Sequence, residues 1–238
     1  MVSLKVLDLF AGLKGWSEPF ERRGHEVFSI DNNTQFDVDL HADIETLDTG
    51  ILPWVPDIIL ASPPCQAFSV MTIGRNWTME HTPKTEKAEL AIRLVETTKR
   101  IIKELSPIYF VIENPRAKLR KLEILQDYER RTVTYCQYGE KFMKPTDLWG
   151  GFPKSLELKP ICKNGAPCHT SASRGSVTGV QGPSRTKFRG GMIEDMSRLY
   201  STDPKRVELS ALRSKIPYPL ALAVCLAAEK DILGDMDD

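Results

Sequence analysis

The segment DIILASPPCQAFS, residues 57–69, changes character halfway along. A short apolar run rich in branched residues, DIILAS (57–62), runs into two prolines and then a cysteine. Such a run favours a buried strand. Pro63 has no amide hydrogen to extend a ladder and pushes Ser62 toward extended geometry, so the strand stops here. Cys65 is therefore carried on stiff backbone just beyond a strand end, which is a way to present a thiol to a ligand.

The same kind of run recurs on both sides. LKVLDLF (4–10), HEVFSID (25–31), PIYFVIE (107–113) and RTVTYCQ (131–137) are short, apolar and rich in branched or aromatic residues. Between the third and fourth of the five runs, EKAELAIRLVETTKRIIKEL (86–105) places Ala91, Leu94, Val95, Thr98, Ile102 and Leu105 on one helical face. Buried strands alternating with amphipathic helices define the α/β class, with a doubly wound, mostly parallel sheet of the Rossmann-like kind, covered on both faces. Ligands of such sheets bind beyond the carboxyl ends of the strands. Cys65 lies at one such end.

Composition narrows the function classes. The chain has 238 residues, 27% charged and 41% hydrophobic, with a formal net charge of zero. That is ordinary for a globular domain, and a nucleic-acid partner would have to be read from local charge. No apolar run reaches membrane-spanning length, and Met-Val-Ser-Leu-Lys leads straight into a strand, so neither a membrane span nor a signal peptide is expected. Five cysteines without framework spacing suit reduced thiols and a cytoplasmic or nucleoid-associated protein. No obligate protein partner is evident.

Two further segments end at the same edge. In DLFAGLKGWSEPF (8–20), Gly12 and Gly15 permit a tight strand-to-helix turn, and Trp16 and Phe20 form the inner face of a short helix whose start could take the polar end of a nucleotide-like ligand. The dinucleotide fingerprint is incomplete, because Lys14 stands where a second glycine would fall, and an ordinary βα turn fits the loop as well. Asp31 closes the next strand about 20 residues on, where an acid accepts hydrogen bonds from ribose hydroxyls, and Asp43 in ADIE marks another edge of the crevice. These favour an adenosine-containing cofactor. In VIENP (111–115), Glu113 closes an apolar strand; burial there would raise its pKa, unless it caps a helix or pairs with Arg116.

Together these segments resemble the cytosine-C5 DNA methyltransferases. DLFAGLKG is similar to the family's cofactor loop and SPPCQAFS to its nucleophile motif; IENP resembles its Glu-Asn-Val motif with Pro115 in place of valine. YCQYG (135–139) opens the next motif and SKIPYPLALAV (214–224) resembles the C-terminal one, all in the family's order. The resemblance implies S-adenosyl-L-methionine as cofactor, held by Phe10, Ala11, Gly12, Gly15, Asp31, Asn32, Asp43, Ile44 and Pro63. It implies catalysis by Cys65 as nucleophile, Glu113 as the group at cytosine N3, and Lys144 where the family has its first arginine. The substrate would be DNA, in duplex form, with the target base flipped out, in enzymes of the restriction–modification type. The catalytic domain would span residues 1–150 and 207–238, and 151–206 would be a short target-recognition region. Thr146 replaces the second arginine, and Arg213, Ser214 and Lys215 replace a Gly-Asn-Ala near the end. Two other readings therefore remain: a transfer-RNA cytosine methyltransferase, and a catalytically silent DNA-binding relative.

Residues 151–206 are basic and glycine-rich. Between Glu157 and Glu194 lie Lys159, Lys163, His169, Arg174, Arg185, Lys187 and Arg189 and no acid, so this stretch is expected to follow phosphates. Within it CKNGAPCH offers Cys162, Cys168 and His169 to a metal, with Cys136 as a fourth ligand. The gap between the cysteines is wider than usual finger spacing, so free surface thiols are expected rather than zinc.

Overall fold

The computed structural model describes residues 3–70, 72–163, 165–169, 212 and 214–234. Period-two burial organises it. Leu4, Val6, Ile58, Leu60 and Val111 face one apolar layer, while Leu7, Leu9, Ile59, Ala61 and Ile112 face another. Strands buried on both sides read as continuous apolar runs, which is why these segments were legible.

Seven strands form one sheet: β1 (Lys5–Leu9), β2 (Glu26–Asp31), β3 (Leu40–His41), β4 (Ile58–Ala61), β5 (Tyr109–Pro115), β6 (Glu129–Thr134) and β7 (Pro145–Gly151), in the order β3-β2-β1-β4-β5-β7-β6. The pairs from β3 to β5 are parallel, and β7 runs antiparallel to both β5 and β6. The expected doubly wound, mostly parallel sheet is present. One expected strand ends early: β6 stops at Thr134, and Tyr135–Tyr138 form a 3-10 turn instead of extending the strand to 137. Tyr135 donates its N–H to the carbonyl of Met143, closing the β6–β7 hairpin there.

Helices cover both faces. On one lies α3 (Glu86–Leu105), opened by the Thr85 side chain accepting from the Ala88 amide and closed by Ser106 in the left-handed region. Ala91, Leu94, Val95, Thr98 and Ile102 are buried as expected, and Leu105 is half-buried. On the other lie α1 (Glu18–Arg22) and α4 (Tyr218–Leu233), where Trp16 and Phe20 pack with Leu220, Ala221 and Val224. A short helix, α2 (Ile73–Asn76), sits in the loop after Cys65. The start of the basic stretch belongs to this second layer: Phe152 and Leu156 are buried with α4, and the Ser155 hydroxyl donates to the Ala227 carbonyl. Arg174, Arg185, Lys187, Arg189 and Arg213 lie outside the described residues.

The reversed strand β7 depends on a missing side chain. Gly150 lies opposite Val111, and a Cβ on it would sit 2.1 Å from the carbonyl oxygen of Phe110. That oxygen is backbone in a central strand and cannot move aside. Gly150→Ala is therefore expected to lower the unfolding free energy by at least about 2 kcal/mol, an overpacking cost. Gly74→Ala, with open space around its added Cβ, serves as the comparison in a urea titration.

Candidate active site

The parallel register aligns the carboxyl ends of β1, β2 and β4 with Ile112 of β5, beyond which β5 runs on to Pro115 against β7. Leu9 pairs with Ile30 and Ala61, and Ala61 with Ile112, so the four lie in one row across the sheet. The residues that follow them are Phe10, Asp31, Ser62 and Glu113. Segments up to 100 residues apart in sequence thus deliver their functional side chains to one edge.

At the β1 end the loop is tightly wound. Phe10, Gly12 and Lys14 all adopt positive φ, at 59°, 51° and 52°. For Phe10 and Lys14 this costs of order 1 kcal/mol each, and such strain gathers at ligand loops. Asp31 holds the loop from β2: its Oδ2 accepts the Gly12 N–H at 3.0 Å and its Oδ1 accepts the Asn33 N–H at 2.9 Å. Burial raises the Asp31 pKa, opposed by these two bonds. Beneath the loop, the Ser17 hydroxyl donates to buried Asp8 at 2.7 Å, and burial pushes the Asp8 carboxyl up to about 7. The helix that follows starts only at Glu18, with Glu18 and Glu21 in its first turn, so it offers no anion cradle.

The expected cofactor residues separate into distinct roles. Asp31, Phe10 and Gly12 line the strand-end row, Asn32 is exposed beside them, and Ala11 ties the loop to Ile30 through its N–H. Asp43 is exposed and its Oδ1 caps a 3-10 turn at Glu45. Ile44 is 2% exposed and its side chain packs in the core, so the side chain offers a ligand no contact. Gly15 is a packing position: a Cβ there would come within 2.7 Å of the Ile216 amide nitrogen, so it lets the C-terminal motif close on the loop. A carboxylate with lone pairs left for hydroxyls, beside an aromatic ring and strained open backbone, fits the adenosine end of S-adenosylmethionine.

The thiol side is built from three elements. Cys65 is half-buried, and the buried carbonyl of Pro63 accepts from the Asn114 side chain at 2.9 Å, which fixes the double-proline loop against β5. Trp16 Nε1 donates to the Ser62 hydroxyl at 3.1 Å, joining this loop to the cofactor loop. Glu113 is 4% exposed and accepts a hydrogen bond from the buried Tyr135 hydroxyl at 3.0 Å, with Lys144 Nζ 3.7 Å from the same oxygen. Its partners are thus Tyr135 and Lys144, not Arg116 or a helix cap. Lys144 also lies over the Tyr135 ring at 4.2 Å and has a positive φ of 29°. Thr146, at the second arginine's place, is buried and donates to the Lys144 carbonyl at 3.2 Å.

Desolvation dominates the electrostatics. Burial raises the Glu113 pKa above the ordinary carboxylate range, against the pull of Lys144 and the hydroxyls of Tyr135 and Ser62. Burial also raises the Cys65 thiol; Lys144 lowers it and the Glu113 charge raises it again. A proton on Glu113 therefore relieves repulsion of a Cys65 thiolate. Tyr135 and Asn114 lie inside YCQYG and IENP, but nothing in the local sequence signals that they bond Glu113 and the Pro63 carbonyl.

The coupling is measurable at the thiol. Lys144→Met is expected to move the alkylation midpoint of Cys65 to higher pH, by removing a cation that stabilises the thiolate. Glu113→Gln is expected to move it to lower pH, by removing a charge that opposes the thiolate. Iodoacetamide labelling across a pH series, read on the Cys65 peptide by mass spectrometry, checks both signs.

Residues 4–125 match the family described as C-5 cytosine-specific DNA methylase, more than half of the chain. The chain is similar to a frog virus 3 (isolate Goorha) protein named "Probable DNA (cytosine-5)-methyltransferase", with 29% identity over 68% of this chain and 78% of that one. It is similar to the type II methyltransferase M.HindV of Haemophilus influenzae, with 27% identity over 56% of this chain but only 44% of the relative. Among solved structures, the Entamoeba histolytica methyltransferase EhMeth superposes with a TM-score of 0.49 at 13% identity, over 66% of this chain and 57% of that one. With the family match spanning the loop at Phe10, the thiol at Cys65 and the acid at Glu113, the chain belongs to the C-5 cytosine-specific DNA methylases.

Proposed function

We propose that this chain methylates C5 of cytosine in duplex DNA, with the target base flipped out of the helix and Cys65 bonded transiently to its C6. The observation that carries the proposal is the buried Glu113 carboxyl, held by Tyr135 and Lys144 in the electrostatic field of Cys65. C5 of cytosine is a poor nucleophile until a group adds at C6. The Cys65 thiolate makes that S–C6 bond, and electron density moves toward N3, where Glu113 in its acid form donates a hydrogen bond or a proton. One proton thus serves two ends: on Glu113 it neutralises charge at N3 and stops that carboxylate from opposing the thiolate. When bound, S-adenosylmethionine supplies the electrophilic methyl group. A base then takes the C5 proton, and the C5–C6 double bond re-forms as the S–C6 electron pair leaves with Cys65 as thiolate. Any proton placed on N3 returns to Glu113.

Lys144 replaces a planar guanidinium by a point charge. From its place over Tyr135 it favours the thiolate of Cys65 and counters any charge left on Glu113. A duplex keeps C6 out of reach, so extrusion of the base is needed, and the basic residues of 151–206 supply a surface for the phosphates.

The cofactor assignment rests on Asp31. Asp31→Ala is expected to weaken S-adenosylmethionine binding by about 1.5–3 kcal/mol in calorimetry, the loss of charge-assisted hydrogen bonds to the ribose. Unchanged affinity would remove Asp31 from the site.

The covalent step has its own signature. Duplex DNA carrying 5-fluorocytosine is expected to trap the protein when S-adenosylmethionine is present, because fluorine at C5 cannot leave as a proton does. Cys65→Ser is expected to give no adduct yet still bind cofactor, and Glu113→Gln to slow trapping by at least ~100-fold with DNA affinity retained. A cross-link mapped to Cys136 or Cys168, or methyl transfer to transfer RNA in place of duplex DNA, would overturn the proposal.

A further inference from the structure

Three sulfurs and an imidazole converge at the end of β6, outside the site described above. Cys136 lies in the 3-10 turn after β6, and Cys162, Cys168 and His169 return to it from the basic stretch. The four ligand atoms all lie within 4.8 Å of one another. Cys162 Sγ is 3.2 Å from Cys168 Sγ and 3.6 Å from His169 Nδ1, and Cys168 Sγ is 3.4 Å from the same nitrogen. Zinc–sulfur bonds of about 2.3 Å and zinc–nitrogen bonds of about 2.0–2.1 Å place tetrahedral S···N edges near 3.5 Å and S···S edges near 3.8 Å. The two S···N edges, at 3.6 and 3.4 Å, match that length, while the Cys162–Cys168 edge, at 3.2 Å, is about 0.6 Å short of the S···S value, so the two sulfurs must part to admit the ion. A disulfide needs about 2.05 Å between sulfurs, which no pair here approaches.

We propose that Cys136, Cys162, Cys168 and His169 Nδ1 bind a structural zinc ion. The donor chemistry favours it. Three thiolates and one neutral imidazole make a closed tetrahedral set with no position left for substrate. The cluster is anchored as a metal site must be. Cys162 N–H donates to the Thr134 hydroxyl at 2.9 Å, and the Gln137 amide donates to Cys168 Sγ at 3.5 Å, a polarity suited to thiolate sulfur. Three thiolates on a divalent ion leave one net negative charge; Lys159, whose ammonium donates to the Gln137 carbonyl at 2.9 Å, brings a compensating cation to the same turn. With Nδ1 on the metal, the imidazole proton resides on Nε2. The wide gap between Cys162 and Cys168 is accommodated because the fourth ligand comes from β6, so the loop need not close on itself.

A second group of potential ligands, His25, Cys225 and Glu229, carries no such reading. Glu229 Oε1 already accepts from Arg23 at 2.6 Å and hydrogen-bonds His25 at 2.7 Å, and the guanidinium would repel a cation.

The consequence of zinc at this place is mechanical. Tyr135, which donates to Glu113, is the neighbour of the ligand Cys136. The ion would staple the entry of the basic stretch to the turn that carries this tyrosine.

Elemental analysis of the full chain, purified without chelator and dialysed, is expected to find one zinc per chain. Cobalt(II) in its place is expected to show tetrahedral ligand-field bands with sulfur-to-cobalt charge transfer. Cys168→Ser and His169→Ala are expected to weaken zinc by more than the roughly 10–100-fold that loss of an outer-shell partner costs. His169→Cys is expected to keep it, and so is Cys65→Ala, which removes a thiol outside the cluster. Circular dichroism on each variant separates loss of metal from loss of fold. Substoichiometric zinc in natively folded protein, a Cys162–Cys168 disulfide found by mass spectrometry, or full zinc in folded Cys168→Ser would each overturn the proposal.

Discussion

Strand register is the constraint on which everything else here depends. Because Leu9, Ile30, Ala61 and Ile112 lie in one row, the next residue of each strand arrives at the same edge of the sheet. A slip of one residue in any of these strands would exchange its two faces, sending Val6 or Leu60 from one apolar layer to the other. It would also move Asp31 or Glu113 out of the row by about 3.3 Å. Because both layers are apolar, the cost of misregister is one of lost close packing, and that cost protects the site although no site residue contributes much to it.

Burial of acids along this edge has a common logic. Asp8, Asp31, Glu113 and Asp147 are all buried, yet each is treated differently. Asp147 is fully compensated, gripped by Arg120 through two bonds of 2.8 and 2.6 Å and by the Thr132 hydroxyl at 2.7 Å, and it locks the β6–β7 hairpin to the segment after β5. Asp8 has Ser17 alone as its hydrogen-bond partner among the described residues, through the hydroxyl and the backbone N–H, and is pushed toward its neutral form. Glu113 lies between these cases, with the Tyr135 hydroxyl at 3.0 Å, the Ser62 hydroxyl and a lysine at 3.7 Å. Partial compensation of this kind suits the proton-donating role proposed for Glu113.

The β6–β7 hairpin converts a parallel sheet into a closed wall beside the thiol. Thr134 pairs with Pro145, so the flanking Tyr135 and Lys144 meet just past the last rung and reach Glu113 from β5 together. The same turn supplies Cys136 to the thiol cluster. One short segment, 134–138, thus serves the catalytic edge on one side and the entry of the basic stretch on the other.

Much of this was legible from the chain alone. The runs at β1, β2, β4 and β5, the α3 stripe and the thiol after a double proline are local patterns whose physics does not depend on distant partners. Glu113, expected to close its strand, instead pairs with Leu148 inside β5, which the pairing with β7 extends to Pro115. Other features left no local trace. KPTDLWGG (144–151) lacks a strand's composition, since a proline, an aspartate and two glycines disfavour one, and it is a strand through its pairing with β5 and β6 together with the Arg120 bridge. RTVTYCQ (131–137) reads as one strand, but the return of Met143 ends it at Thr134. The spacing of Cys162 and Cys168 argues against a finger, since spacing rules assume ligands from one loop, whereas Cys136 arrives from a strand end more than 20 residues earlier. Sequence by itself determined which residue types stand at the strand ends and hence the chemistry on offer. Only tertiary structure decided what each faces, because the partners of Glu113, Gly15 and Cys136 are set by pairings between segments with no covalent proximity.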